Sequence, residues 1–170
     1  DTSGKQDVEI NSINKTKQNK TKHKPNKKKT NNDNIRIPEE EKLKELGLTL
    51  PEATKPGWNY VSVNVRNNIA YVAIQFPFFN GNIMYKGRLG NELTTQDGYK
   101  AMQYCALNVV AQMLYKVGLE NIEGLNHMDA YYQAADDWDE APKVVDGASD
   151  VFVNLLGERG IHSRSIFGVH

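Results

Sequence analysis

From Thr94 to Gly118, the side chains of Met102, Cys105, Ala106, Val109, Val110, Met113, Leu114 and Val117 recur at helical spacing. No other feature restricts the fold as much, because a long amphipathic helix must bury that stripe against another element. Thr94 and Asp97 have the spacing of a capping box at its start, and Gly118 ends it. A second stripe, Val144, Val145, Ala148, Val151, Phe152, Leu155 and Leu156, predicts a helix from Pro142 to Leu156 closed by Gly157.

The remaining apolar residues read as strands. Val61, Val63 and Val65 alternate with Ser62 and Asn64, as in a half-buried strand. Asn67-Asn68 makes a tight turn, since Asn tolerates positive φ. Ile69 to Gln75 is almost continuously apolar, which predicts a strand covered on both faces, with Pro77 interrupting its pairing. Asn80-Gly81 marks a hairpin leading into a strand near Ile83–Gly87. Further strands are expected at Leu125–Tyr132 and Ser163–Val169. Ahead of all these, Pro38-Glu39-Glu40-Glu41 opens a short helix with Leu43 and Leu46 on one side and Gly47 as its stop.

The order βββ-α-β-α-β predicts an α+β domain, one sheet with two helices on one face. Two helices cannot cover the other face, so that face is expected to be buried by self-association.

Charge divides the chain further. Residues 1–36 carry ten Lys/Arg against four Asp/Glu, a net of +6, and residues 37–170 carry eleven against seventeen, a net of −6. Residues 1–36 form a basic arm of Asn, Lys and Thr that includes Lys27-Lys28-Lys29, and such a composition predicts disorder. A solvated low-complexity tail, a nucleic-acid-binding arm and an organelle transit segment all fit it. Residues 37–56 form the short helix and a connector through Pro51 and Pro56; residues 57–170 form the domain. The acidic domain disfavours nucleic acid as its partner.

One cysteine, Cys105, excludes an intrachain disulfide and fits a cytoplasmic location, with a mitochondrion or plastid as the alternative if the arm belongs to a transit peptide. Cys105 lies on the apolar stripe, which predicts a buried, inert thiol. His23, His127, His162 and His170 have no zinc-type spacing, and no apolar run approaches the length of a membrane span. His127 is expected to be a hydrogen-bonded structural residue. Asp136, Asp137, Asp139 and Glu140 around Trp138 read as a solvated helix-entry loop rather than a metal site.

Several motifs carry a family resemblance. They are Gly57-Trp58-Asn59-Tyr60, the run Tyr71 to Pro77, and Gly98…Ala101…Cys105-Ala106-Leu107-Asn108. Val145-Asp146-Gly147-Ala148-Ser149-Asp150 and Gly160-Ile161-His162-Ser163-Arg164-Ser165 follow. With these the chain from about Glu39 onward resembles the RidA family, also called YjgF or endoribonuclease L-PSP. The lead-in Leu46-Gly47-Leu48 to Leu50-Pro51-Glu52 is similar to its long-N-terminus branch. The resemblance implies a chorismate mutase-like fold, a homotrimer, and clefts between subunits. It also implies hydrolysis of enamines and imines such as 2-aminoacrylate to 2-oxo acids and ammonia, without metal or organic cofactor. Arg164 matches the residue that binds the substrate carboxylate, and Tyr60 the aromatic lining the cleft. Ala73, Ile74 and Gln75 fall at the family's substrate-side Ser-Gly-Gln. His162, two residues before Arg164, is expected to line the same cleft.

A guanidinium suits that role because it can make two parallel hydrogen bonds to a carboxylate. Two departures stand out. Ala73 and Ile74 replace Ser and Gly, removing a hydroxyl and adding a β-branched side chain. The family's last strand, with its acidic residue, is expected beyond His170, so the chain reads as a fragment. A non-catalytic ligand-binding or regulatory trimer is the rival function. A ribonuclease is disfavoured, because no paired general acid and base is evident.

Overall fold

A computed structural model describes residues 38–169; the basic arm, His23 and His170 lie outside the described residues. The order of elements is α1 (Pro38–Glu45), β1 (Val63–Arg66), β2 (Ile69–Val72), β3 (Phe78–Phe79), β4 (Asn82–Ile83), α2 (Thr95–Lys116), β5 (His127–Tyr132), α3 (Ala141–Leu156) and β6 (Ser163–Gly168). The protein is therefore α+β.

Helices α2 and α3 pack along one another and hold most of the core. Leu107, Val110, Val144, Val145, Val151 and Leu155 are all fully buried there. On α3 the stripe read from the sequence is the buried side. On α2 only Ala106, Val110 and Met113 of the stripe are buried, together with Leu107, Asn108, Ala111 and Gln112 from outside it, while Met102, Cys105, Val109, Leu114 and Val117 are half-buried. The contact is close because Gly147 on α3 sits against the backbone of Tyr99 on α2. The capping box is present: the Asp97 amide donates to Thr94 Oγ1 at 3.1 Å, and the Thr94 amide donates to Asp97 Oδ2 at 3.0 Å. Gly118 follows with φ +81°. Helix α1 packs on α3 through Leu43, and Gly47, at φ +69°, turns the chain away. Leu46, expected beside Leu43, is exposed instead, because the helix has already ended at Glu45.

Strands β1 and β2 pair antiparallel, with Arg66 opposite Ile69 across Asn67-Asn68, both at positive φ. Strands β3 and β4 form the expected hairpin around Asn80-Gly81, but β4 ends at Ile83 instead of running on to Gly87 as expected. Strands β5 and β6 pair parallel, with α3 as the crossover that a parallel pair requires. The inward residues Val72 and Met128 pack on the helical core, so the helices lie on one face of the strands.

Three further expectations are corrected. The strands form three two-stranded units rather than one continuous sheet. The strand expected through Gln75 ends at Val72. Past that point the backbone finds other partners. Gln75 Nε2 donates to the Ala73 carbonyl at 2.9 Å, and Pro77 has no amide to offer a ladder. The buried Asn108 amide on α2 donates to the carbonyls of Phe76 at 3.3 Å and Phe78 at 2.8 Å. A helix side chain thus does what a neighbouring strand would do. Nor is β2 covered on both faces within one chain: Ile69, Tyr71 and then Ile74 and Phe76 are exposed. Val65, Tyr131 and Phe167 are exposed on the other strands, the last two as a stacked pair 5.1 Å apart.

Candidate active site

The register of β6 against β5 decides where Arg164 goes. Alternate residues of a strand face opposite sides. Ser163 and Ser165 meet His127 and Asp129 on the side away from the helices, so Arg164 points toward α3. There its Nη1 donates to Asp146 Oδ1 at 2.8 Å and to Ser149 Oγ at 3.0 Å. Asp146 and Ser149 lie three positions apart on α3, hence on one side of it.

Ser149 is held in turn. Its hydroxyl lies 3.2 Å from His162 Nε2, and His162 Nδ1 lies 2.7 Å from the Gly160 carbonyl. A carbonyl only accepts, so Nδ1 carries the proton and Nε2 is the acceptor. The Ser149 hydroxyl then donates to His162 and accepts from Arg164. The imidazole stands edge-on to the Phe152 ring, with centroids 5.6 Å apart. Both His162 nitrogens are used inside this network, so the residue supports Ser149.

The two protons of Nη1 are both spent on protein acceptors. Among the described residues, Nη2 and Nε make no hydrogen bond. The guanidinium is anchored through Nη1, and its Nη2 and Nε edge is unbonded among the described residues. The Arg164 side chain is 26% exposed, that of Asp146 52%, so the cation is recessed and the acid stands at the rim. Beside them the Tyr99 hydroxyl donates to Asp150 Oδ2 at 2.6 Å. That bond, with burial and the nearby charges of Asp150 and Asp146, pushes the phenol up to about 12.

The other expected site residues lie elsewhere in the chain. Tyr60 precedes β1 and is exposed, its amide donating to the Trp58 carbonyl at 2.8 Å. Ala73 donates its amide to the Ser62 carbonyl at 2.8 Å, Ile74 is exposed, and Gln75 binds back to Ala73. No hydrogen bond or ion pair among the described residues joins this group to Arg164. Asp146 and Ser149 were not expected as site residues. Their spacing on one side of a helix just ahead of the arginine motif was the available signal.

His127 binds Ser163 Oγ at 2.7 Å through Nδ1, and Asp129 Oδ1 at 3.0 Å and Ser165 Oγ at 3.1 Å through Nε2, as expected of a hydrogen-bonded strand histidine. Glu140 at the start of α3 accepts from Lys143 Nζ and Thr95 Oγ1, which holds its carboxyl below the usual range. Trp138 Nε1 donates to Thr95 Oγ1 at 3.1 Å. Burial pushes the Cys105 thiol up to about 12. Among the described residues no group of three or more His, Cys, Asp or Glu is placed to hold a metal ion, and no helix is long and apolar enough to cross a membrane.

Comparison with known proteins places this geometry in a family. Residues 40–169 match the family model described as "YjgF/chorismate mutase-like, putative endoribonuclease". Protein TCP17 of Trypanosoma cruzi is 33% identical over 129 residues, 75% of this chain and 81% of that protein. A structure of a protein of unknown function from Agrobacterium tumefaciens superposes with a TM-score of 0.71 at 32% identity, covering 77% of this chain and 80% of that one. A structure described as a putative endoribonuclease from Shewanella oneidensis gives 0.74 at 32% identity, covering 77% and 87%. Arg164, its partners on α3 and the α+β fold around them all fall within the matched residues, and the chain belongs to the YjgF/chorismate mutase-like family.

Proposed function

We propose that this protein is a cofactor-free enamine/imine deaminase that hydrolyses 2-aminoacrylate-type intermediates to 2-oxo acids and ammonia. Arg164 is its carboxylate anchor. The observation that carries this reading is the guanidinium fixed through Nη1 with its Nη2 and Nε edge unbonded among the described residues. That edge has the two parallel donors a carboxylate needs. Each charge-assisted bond contributes about 1.5–3 kcal/mol.

The chemistry asks little more than placement. The enamine tautomerises to an imine, whose C2 is already electrophilic. Water adds to C2, a proton passes to nitrogen, and the C–N bond breaks to leave a 2-oxo acid and ammonia. Holding the imine still beside water lowers the barrier by orientation. That no hydrogen bond or ion pair among the described residues joins Tyr60 or residues 73–75 to Arg164 supports clefts completed by a second subunit of a homotrimer. The exposed apolar strand faces supply the contact.

The test is ammonia release from 2-aminoacrylate generated in situ. The wild-type chain is expected to exceed the spontaneous rate and Arg164→Ala to fall back to it. Release at the spontaneous rate by wild type sinks the proposal.

Ala73 and Ile74 favour a second reading, a trimer that binds 2-oxo acids without turning anything over. Calorimetric binding of 2-oxobutanoate together with no ammonia release would select it. Ribonuclease activity, the description given to the Shewanella relative, fits the acidic domain poorly, since phosphate binding wants clustered cations.

A further inference from the structure

We propose that His162 is a positioning residue for substrate binding. By accepting the Ser149 hydroxyl it sets the plane in which Arg164 offers its Nη2 and Nε edge to a carboxylate. This deepens the deaminase reading and rests on Arg164 being the carboxylate anchor.

His162 and Arg164 are two positions apart where the chain enters β6, so both turn toward α3. The Ser149 hydroxyl stands between them, 3.2 Å from His162 Nε2 and 3.0 Å from Arg164 Nη1. A hydroxyl has one proton and two lone pairs. Nη1 only donates, so toward Arg164 the oxygen must accept. Nε2 only accepts, because the proton of the ring sits on Nδ1, 2.7 Å from the Gly160 carbonyl. The Ser149 proton is therefore directed at His162, and each bond of the series orients the next.

Asp146 alone does not hold the guanidinium plane. It takes one Nη1 proton, and its side chain is 52% exposed, so that bond competes with water. A single bond leaves the guanidinium free to turn about it. The second bond, to half-buried Ser149, stops that turn. Without His162, the Ser149 proton would turn to a carbonyl of the preceding helical turn, as serines inside helices do, and draw the lone pairs away from Nη1. The imidazole is itself fixed by the Gly160 carbonyl and the edge-on Phe152 ring, so its acceptor stands in one place.

Asn and Gln separate the two ring nitrogens. Asn at position 162 places its amide near Nδ1; it can donate to Gly160 but does not reach Ser149. Gln places its amide near Nε2 and can accept from Ser149. Calorimetry on the full chain with 2-oxobutanoate reads the difference. Wild type and His162→Gln should bind alike, and His162→Asn and Ser149→Ala should each bind about fivefold more weakly. Adding His162→Asn to Ser149→Ala should weaken binding no further, because the series is already broken. His162→Asn binding as tightly as wild type, His162→Gln binding as weakly as His162→Asn, or additive losses in the double variant would each overturn the role of His162. If His162→Asn does not fold, Ser149→Ala, which leaves the bond to Gly160 in place, decides instead, and binding equal to wild type overturns the proposal. Arg164→Ala tests the anchor separately and should abolish binding. If it does so while His162→Asn binds like wild type, only the proposal for His162 falls. Binding retained by Arg164→Ala, or absent from wild type, overturns both.

Discussion

Gly147 lies so close to Tyr99 that a Cβ placed on it would stand 2.1 Å from the Tyr99 carbonyl oxygen. The obstacle is helix backbone, which cannot swing aside as a side chain tip can. Gly147→Ala gains about 1 kcal/mol of intrinsic helix preference yet must push α2 and α3 apart. The expected net is a loss of about 1–3 kcal/mol, read as a lower urea midpoint with an unchanged slope. An equal or higher midpoint would show that the helices separate freely.

Asn108 holds the carbonyls of Phe76 and Phe78 where the chain leaves β2. Asn108→Leu keeps the branched shape and removes the donor. A loss of about 1–3 kcal/mol is expected from the stranded carbonyls. Amide exchange should quicken around β3 and β4 while α2 and α3 keep their protection. Uniform protection across the molecule would contradict this.

The first turn of α2 gives stability a pH dependence. The Thr94 hydroxyl, then the Thr94 amide, holds the Asp97 carboxyl below its ordinary 3.8. A carboxyl lowered in the folded state contributes stability above its unfolded value and loses it as pH falls through the folded value. Stability should therefore decline on acidification below about pH 4. Asp97→Asn should flatten part of that decline. Denaturant midpoints between pH 2 and pH 6, measured for both proteins, check the difference, and parallel curves would refute it.

The exposed apolar faces of β1, β2, β5 and β6 predict self-association. Sedimentation of the full chain should give a three-chain assembly. Phe167→Asp, which breaks the stacked pair with Tyr131, should shift it toward the monomer. A wild-type monomer at micromolar concentration would remove the case for clefts between subunits.

Local chemistry was the legible part of the sequence. The Thr94–Asp97 cap, the Asn67-Asn68 and Asn80-Gly81 turns and the α3 stripe each depend on residues a few positions apart, and each is present; the α2 helix is present too, but its buried side is shifted from the stripe toward Leu107 and Ala111. The length of β2 was not legible. An apolar run records that side chains prefer burial, but not whether a neighbouring strand or the Asn108 amide satisfies the backbone. Arg164 was singled out through its motif. Asp146 and Ser149 were not, because which side of α3 meets β6 is decided by packing remote from either residue. His162 stood close to the arginine in sequence and proved to serve it indirectly, through Ser149.

The Asp146–Arg164 bond joins residues only 18 positions apart, and Ser149 and His162 fall between them. One helix-to-strand return, from α3 into β6, therefore brings the whole anchoring set together. Its loop-closure entropy is small, and docking α3 on β6 is enough to assemble it. During refolding the guanidinium should therefore be oriented early, as soon as this short return closes and before more distant segments find their places.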